Sequence, residues 1–288
     1  MPKRTKIHRP RLAYNNSHFI ESPAARPLRI LAEYTDPLVR LAEACVGDTI
    51  VIFGSARILP RDRALERVHR IGKQARLHPS PDLRLKLRGA RNILGMSRYY
   101  EEARELSRRL TAWAMSFGSH PRRFVVCSGG GPGIMEAANR GAAEAGGVSV
   151  GLNIELPHEQ SPNKYITPNL SFNFHYFFMR KLWFAQMARA LIVFPGGFGT
   201  MDELWEMMTL LQTSKVSSKH VILIYGRDYW NKVMNLKEMV RAGTVTPEEY
   251  NLLQFADSVD EAFERVARSL EQHHLRLDRD WTGLQQAP

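Results

Sequence analysis

Residues 190–203 read Ala-Leu-Ile-Val-Phe-Pro-Gly-Gly-Phe-Gly-Thr-Met-Asp-Glu, and this stretch decides the fold. The five apolar residues 190–194 show no polar alternation, which is typical of a strand buried inside a parallel sheet. A turn with Gly196, Gly197 and Gly199 follows, and an amphipathic helical pattern begins after Thr200. In a strand followed by a glycine turn and a helix, the free backbone N–H groups at the start of the helix point toward the turn and can bind an anion. Glycines have no Cβ, so the anion can approach the backbone closely. The stretch therefore predicts a phosphate-binding loop.

Thr200 and Glu203 each have two interpretations. We expect Thr200 to be the N-cap of the helix, with a hydroxyl that can also donate to a phosphate oxygen. However, Thr200-Met-Asp-Glu203 equally fits the T-x-x-E capping box, in which Glu203 merely bonds back to the amide of the N-cap residue. This segment alone leaves both a binding role and a purely structural role open.

Two further glycine-containing turns follow predicted strands. Ser128-Gly-Gly-Gly-Pro-Gly133 comes after a strand at 124–127 and opens a helix that runs to about residue 145. Gly54-Ser55-Ala56-Arg57 closes the first strand, so Ser55 and Arg57 are either ligand contacts or an N-cap and a solvated side chain. Neither G-x-G-x-x-G nor GK[ST] is present at these turns, which argues against a dinucleotide and against a P-loop.

These motifs resemble a known family. PGGFGTMDE at 195–203 resembles the PGGxGTxxE signature of the Lonely Guy (LOG) phosphoribohydrolases, which were long labelled lysine decarboxylases. The resemblance covers roughly residues 48 to 225, and the chain is similar to the longer bacterial members and to nucleoside-monophosphate nucleosidases. The other matching motifs are FGSAR at 53–57, SGGGPGIMEAANRGA at 128–142, GLNIELPHEQSPN at 151–163 and FFMRK at 177–181.

The alternation of strands and helices predicts an α/β fold with a doubly wound, mainly parallel, Rossmann-like sheet and helical additions at both ends. We expect an N-terminal arm and helices at 1–47, a nucleotide-binding catalytic domain at 48–275 and a tail at 276–288. Residues 26–46 are predicted to form two short helices, broken near Asp36-Pro37, and the chain after the last strand is predicted to be helical at 229–242 and 259–273. The predicted strands are 49–53, 124–127, 148–152, 171–175, 190–194 and 221–225.

Composition and charge narrow the class of protein. The 288 residues are 44% hydrophobic, which is ordinary for a soluble domain, and no apolar run is long enough to span a bilayer. The N-terminus lacks the apolar segment of a secretory signal, and Cys45 and Cys127 lie in apolar contexts, so we expect a cytoplasmic protein with reduced thiols. The formal net charge of +11 exceeds what one monophosphate requires and keeps nucleic-acid binding open.

Much of the positive charge lies in a basic insertion at 58–97. No aromatic residues interleave its charges, so we favour a solvated helical excursion or an oligomer contact over a nucleic-acid surface. The insertion interrupts the expected step from the first strand to its helix. Its basic residues are Arg61, Arg63, Arg67, Arg70, Lys73, Arg76, Arg84, Lys86, Arg88 and Arg91.

The position of the glycine turns in the predicted sheet indicates where a ligand binds and which reaction the site suits. Ligands of such sheets bind beyond the carboxyl ends of the strands, where all the glycine turns fall. Glycine cradles favour a phosphate, and no pattern suggests a metal, a cofactor or a serine nucleophile elbow. What remains is a carboxylate and an arginine beside a phosphate site. This set suits hydrolysis of an N-glycosidic bond in a nucleoside 5′-monophosphate, because a carboxylate stabilises the oxocarbenium-like state and orients water.

The resemblance assigns roles to individual residues. It implies that Glu203 and Arg180 carry catalysis and that Gly196, Gly197, Gly199 and Thr200 hold the phosphate. It further implies that AMP or a cytokinin riboside 5′-monophosphate is cleaved to free base and ribose 5-phosphate, without a cofactor, by a homodimer or higher homo-oligomer. The remaining implied or suggested substrate contacts are Ser55, Gly130, Gly131, Met135, Glu136, Glu159, Lys181 and Thr209.

Two other functions stay open from the sequence. The first is a non-catalytic protein that binds a nucleotide or nucleic acid through the glycine loops and the basic insertion. The second is the old decarboxylase label, which needs a Schiff-base lysine. Lys164 and Lys181 are available, but nothing beside them resembles a pyridoxal-phosphate site. The base preference depends on loops whose shape the sequence does not determine.

Overall fold

Seven parallel strands form one sheet in the order β4-β3-β2-β1-β5-β6-β7. The computed structural model describes residues 11–118, 120–156, 161–217 and 219–275. The chain starts at the centre of the sheet, moves outward to β4, returns beside β1 and moves outward again to β7. The predicted α/β class with a parallel sheet is therefore confirmed. The strands are β1 Thr49–Phe53, β2 Val125–Ser128, β3 Ser149–Ile154, β4 Ser171–Phe174, β5 Ala188–Val193, β6 Val221–Tyr225 and β7 Leu253–Ala256.

Helices cover both faces of this sheet. One apolar layer joins it to α5, α6 and α12, and the other joins it to α2, α7 and α8. Among the described residues, no helix combines the length and the apolar character needed to cross a membrane. The helices are α1 Ser17–Ile20, α2 Arg26–Glu43, α3 Arg61–Leu77, α4 Pro81–Met96, α5 Arg98–Met115, α6 Ile134–Glu144, α7 Phe177–Met187, α8 Phe198–Gln212, α9 Arg227–Val233, α10 Leu236–Arg241, α11 Pro247–Tyr250 and α12 Val259–Leu270.

Residues 26–46 contain one long helix, so the predicted break at Asp36-Pro37 is wrong. Pro37 lies inside α2 and is buried. A proline inside a helix loses one backbone hydrogen bond, at about 3 kcal/mol or more. The helix continues because Tyr34, Leu38 and Leu41 on its inner face pack into the apolar layer below it.

One prediction for the C-terminal part is also wrong, and the short segment at about 252–256, which the sequence left without an assigned structure, forms a strand. Residues 229–242 do not form one helix, because Met234 is extended and Asn235 caps the separate helix α10 by accepting a bond from the Glu238 amide. The segment after it contains a seventh strand, β7, which pairs in parallel with β6 at the edge of the sheet. Four residues, Leu-Gln-Phe-Ala, are too short to show a strand period in the sequence.

The basic insertion forms two helices, α3 and α4, joined by residues 78–80. Ser80 caps α4 by accepting a hydrogen bond from the Leu83 amide, and Pro81 occupies its first position. The helices pack against each other and against α5, and Ile93 and Met96 of α4 line the cleft described below. This arrangement puts the inner side of α4 next to the edge of the sheet where ligands are expected.

Candidate active site

A cleft of about 760 Å³ lies over the carboxyl ends of the central strands. It sits where β1 and β5 adjoin and the connections leave in opposite directions, which is the usual ligand position in such sheets. Predicted site residues from four separate segments line it: Ser55, Gly131 and Met135, Arg180, and Gly196, Gly197, Gly199, Thr200 and Glu203. The fold thus brings residues that are up to 148 positions apart in sequence around one space.

The loop at 195–199 connects β5 to α8, and its geometry corrects one prediction. Helix α8 begins at Phe198 with Gly197 as its N-cap, so Thr200 is the third helical residue and not the cap. The Thr200 side chain lies directly against Gly196, where an added Cβ would clash with its hydroxyl oxygen. The loop is also held from outside, because the Tyr229 hydroxyl donates to the Gly196 carbonyl at 2.8 Å.

Glu203 does not take part in a capping box. The first turn of α8 has no side-chain cap, and Glu203 lies one turn into the helix with only 3% of its surface exposed. The Arg180 Nη2 donates to its Oε1 at 3.0 Å. Arg180 projects from α7, and its Nε is buried without a hydrogen-bond partner among the described residues. The guanidinium therefore retains a buried donor at the cleft.

Burial controls the ionisation of Glu203. Loss of water around the carboxyl raises its pKa from 4.5 to about 7, and the positive charges of Arg180 and Lys181 only partly oppose this effect. Near neutral pH, the protonated and the ionised forms of the Glu203 carboxyl are therefore both populated. A group with this pKa can both accept and donate a proton, which is what general acid–base catalysis requires.

The glycine loop after β2 is locked against its neighbours. Gly130 and Gly133 have φ values of +73° and +71°, and a Cβ at Gly133 would clash with the Ser55 carbonyl. The Asn163 amide donates to the carbonyls of Gly130 and Gly131, at 3.0 and 3.1 Å. A loop held in this way presents a fixed wall to the cleft.

Four predicted contacts do not line the cleft, and a fifth falls outside the described residues. Glu136 accepts a bond from the Tyr100 hydroxyl at 2.8 Å, and Lys181 pairs with two carboxylates on α8. Thr209 is exposed and bonds to its own helix, while Gly130 lies behind the wall. Glu159 is among the residues that the structure does not describe.

Other residues at the cleft were not predicted as individual contacts. Asn153 and Phe177 line it and lie inside the quoted motifs 151–163 and 177–181, and the loop that begins at Asn153 was expected at this edge of the sheet. Tyr229 carries no motif signal, since it lies after β6, beyond the motifs. Ile93 and Met96 come from α4. The sequence favoured a solvated insertion or an oligomer contact, so the contribution of α4 to the cleft wall was not predicted.

No metal centre is evident in the part of the chain that the structure describes, where no group of three or more His, Cys, Asp or Glu side chains is placed to hold an ion. Cys45 and Cys127 are both free thiols, and burial raises the pKa of Cys127 further above its ordinary value. The described residues that line the cleft supply a carboxyl, a guanidinium, hydroxyls and backbone amides.

Comparison with known proteins confirms the resemblance to the LOG family. The family model described as "Possible lysine decarboxylase" matches residues 135–266, which include Arg180 and Glu203. The chain is 25% identical over 178 residues to rice "Probable cytokinin riboside 5'-monophosphate phosphoribohydrolase LOGL2", covering 61% of this chain and 68% of that protein. It is 30% identical over 100 residues to the Arabidopsis thaliana phosphoribohydrolase LOG7, covering 34% and 44%. For this and several other relatives, the match spans about half of the relative's length.

Solved structures show weaker likeness. A molybdenum cofactor binding protein from Rippkaea orientalis is 16% identical, with a TM-score of 0.42 over 59% of this chain and 86% of that one. The molybdenum cofactor carrier protein of Chlamydomonas reinhardtii is 19% identical, with a TM-score of 0.41 over 61% and 89%.

Proposed function

We propose that this protein hydrolyses the N-glycosidic bond of a nucleoside 5′-monophosphate, AMP or a cytokinin riboside 5′-monophosphate, to free base and ribose 5-phosphate. The observation that carries the proposal is the buried Glu203–Arg180 pair, which opens onto the same cleft as the glycine loop at 195–199. The names of the plant relatives point to the same reaction.

The phosphate would lie against the loop. The start of α8 offers unpaired backbone amides, and Gly196, Gly197 and Gly199 leave the approach to them open. In this proposal the Thr200 hydroxyl, which faces the cleft from the first turn, adds one donor. Anchoring the phosphate fixes the ribose and lends binding energy to the reacting carbon.

Glu203 and Arg180 would act at the ribose. As the bond from C1′ to the base nitrogen breaks, positive charge develops on the sugar, and the Glu203 carboxylate stabilises it. The carboxylate takes one proton from the attacking water, whose oxygen bonds to C1′, and the proton passes to the departing base. Arg180 keeps the carboxylate in place at 3.0 Å, and its buried Nε is available to an oxygen of the substrate.

The decisive experiment follows the release of base and ribose 5-phosphate from AMP, GMP, CMP and isopentenyladenosine monophosphate. We expect Glu203→Ala and Arg180→Ala to lower the rate by about 10²-fold or more, which is typical for loss of a positioned acid–base group. Glu206→Ala is the matched control, because this carboxylate lies on the same helix but outside the cleft lining. Binding of all four nucleotides without release of base would instead identify a non-catalytic nucleotide-binding protein.

We also propose that the protein acts as a homodimer. Phe177 and Phe178 at the start of α7 are each 50% exposed, and Phe198 at the start of α8 is 93% exposed. Large apolar side chains clustered beside a cleft are typical of a contact surface. Sedimentation velocity checks the proposal: a monomer at micromolar concentration would refute it.

A further inference from the structure

A second concave site lies on the basic insertion, away from the cleft. The groove between α3 and α4 has a volume of about 670 Å³. Its polar lining is His69, Lys73 and Arg76 from α3 and Arg91 from α4, and we call this set the basic groove. Its floor is formed by small and apolar residues, Val68, Gly72, Ala75, Leu77 and Leu87.

The charges of the basic groove have no counter-charges. No Asp or Glu lines it, and Lys73, Arg76 and Arg91 have no ion-pair partner among the described residues. Residues 58–97 contain ten Lys and Arg against three Asp and Glu, an excess of seven positive charges out of the net +11 of the whole chain. The acidic Asp82 pairs with Lys86, which is not part of the groove.

The spacing of these residues costs stability. Lys73 and Arg76 are three positions apart on one helix face. Like charges at this spacing destabilise a helix by about 0.2–0.5 kcal/mol per pair. Arg91 on the facing helix adds a third full charge to the same space. Among the described residues, no ion pair offsets the repulsion between these charges, and an anion bound in the groove would reduce it.

The size and composition of the groove select the kind of anion. The volume of the groove suits a compact ligand. Its lysine, two arginines and histidine can form charge-assisted hydrogen bonds with several phosphate groups of one ligand rather than with a single phosphate. Residues 58–97 contain no Phe, Tyr or Trp, so no stacking platform for single-stranded RNA is present. We propose that the basic groove binds a small oligophosphate anion, at a site separate from the catalytic cleft.

The position of the groove gives this site a structural link to the cleft. Helix α4 contributes Arg91 and Leu87 to the groove, and Ile93 and Met96, a few residues later, to the cleft wall. An anion held by Arg91 therefore contacts the same helix that bounds the cleft. The proposal itself concerns binding and does not depend on the reaction proposed above.

Titration calorimetry of the full chain with sodium tripolyphosphate, at about 0.15 M salt to screen diffuse attraction, tests the proposal. We expect Lys73→Gln/Arg76→Gln to weaken binding at least about tenfold, because two charge-assisted contacts are lost. The matched control is Arg63→Gln/Arg67→Gln, which removes two exposed charges from the same helix outside the groove. It should change the affinity less than about twofold. Circular dichroism and thermal unfolding verify that all variants fold.

Four results would overturn the proposal. Wild-type protein that binds no tripolyphosphate at millimolar concentration has no such site. Equal weakening in both double variants would mean that the anion senses only the overall charge, and unchanged binding in the groove variant would place the anion in the cleft. A short RNA duplex that binds more tightly than tripolyphosphate, with both variants weakened alike, would replace the site with an extended polyanion surface.

Discussion

Replacing Glu203 by glutamine should change how the stability of this protein depends on pH. Glutamine preserves the size of the side chain but cannot ionise, so it removes only the titration of the buried carboxyl. The pKa of Glu203 is raised from 4.5 to about 7 in the folded protein, chiefly by burial. Between these two values the folded protein binds the proton more tightly than the unfolded chain does. The wild-type protein therefore loses stability as the pH rises through this window.

The size of the effect follows from the two pKa values. A difference of about 2.5 pKa units corresponds to about 3 kcal/mol in the free energy of unfolding, which is fully present below pH 4.5 and lost once the pH exceeds 7. Between pH 5 and pH 8, the wild type should lose about 2.5 kcal/mol relative to Glu203→Gln. The glutamine oxygen can still accept the hydrogen bond from Arg180 but carries no charge, and the pH dependence of the charge interaction is already contained in the pKa of Glu203.

Urea unfolding of both proteins at pH 5, 6, 7 and 8 measures this difference. Taking the difference between the two proteins cancels every titrating group that they share. Glu206→Gln is the control, since it removes a more exposed carboxylate from the same helix and should not reproduce the trend. Parallel stability curves for the wild type and Glu203→Gln would refute the reasoning, because they would mean that burial does not penalise the ionised carboxylate.

Two more changes test how the loop at 195–199 is held. Tyr229→Phe removes the hydroxyl that bonds to the Gly196 carbonyl at 2.8 Å. We expect KM for the monophosphate to rise by up to about tenfold with little change in kcat, since one hydrogen bond contributes about 0.5–1.5 kcal/mol; a fall in kcat alone would contradict this. Gly196→Ala introduces a Cβ against Thr200 and should destabilise the fold by about 1–3 kcal/mol in urea unfolding. Gly199→Ala, which meets no atom within 4 Å, should be far milder.

The sequence predicted the sheet well because its strands carry a strong local signal. Residues 190–194 and 221–225 are continuous apolar runs, and burial on both faces of a parallel sheet requires such runs. The edge strand at 253–256 has two half-buried residues out of four and gives no comparable signal. Pro37 misled the prediction for the opposite reason. Its local penalty is real, but the packing of the long helix α2 on the sheet outweighs it.

The candidate site was harder to predict, because its decisive contact joins two distant segments. Thr200-Met-Asp-Glu203 fits a capping box by spacing alone, and only the start of α8 at Phe198 shows that Thr200 is not the cap. The bond between Arg180 and Glu203 spans 23 positions and depends on how α7 and α8 pack. The part of α4 in the cleft wall is likewise a product of tertiary packing, which charge composition does not reveal.

The ion pair at the cleft also differs in kind from the pairs on the surface. Burial alone would raise the pKa of Glu144, but bonds from Arg104 and Arg140 outweigh it, so the pKa falls below its ordinary value. At Glu203 the balance is reversed, because burial outweighs Arg180 and the pKa rises. At Glu144 the paired arginines favour the charged carboxylate, whereas at Glu203 the neighbouring positive charges do not compensate for burial. The fold therefore retains Glu203 at a cost to its own stability at neutral pH. In the function proposed above, this cost falls on the carboxyl that exchanges a proton with the attacking water, and a carboxyl with a raised pKa in a cleft is a candidate for such a role.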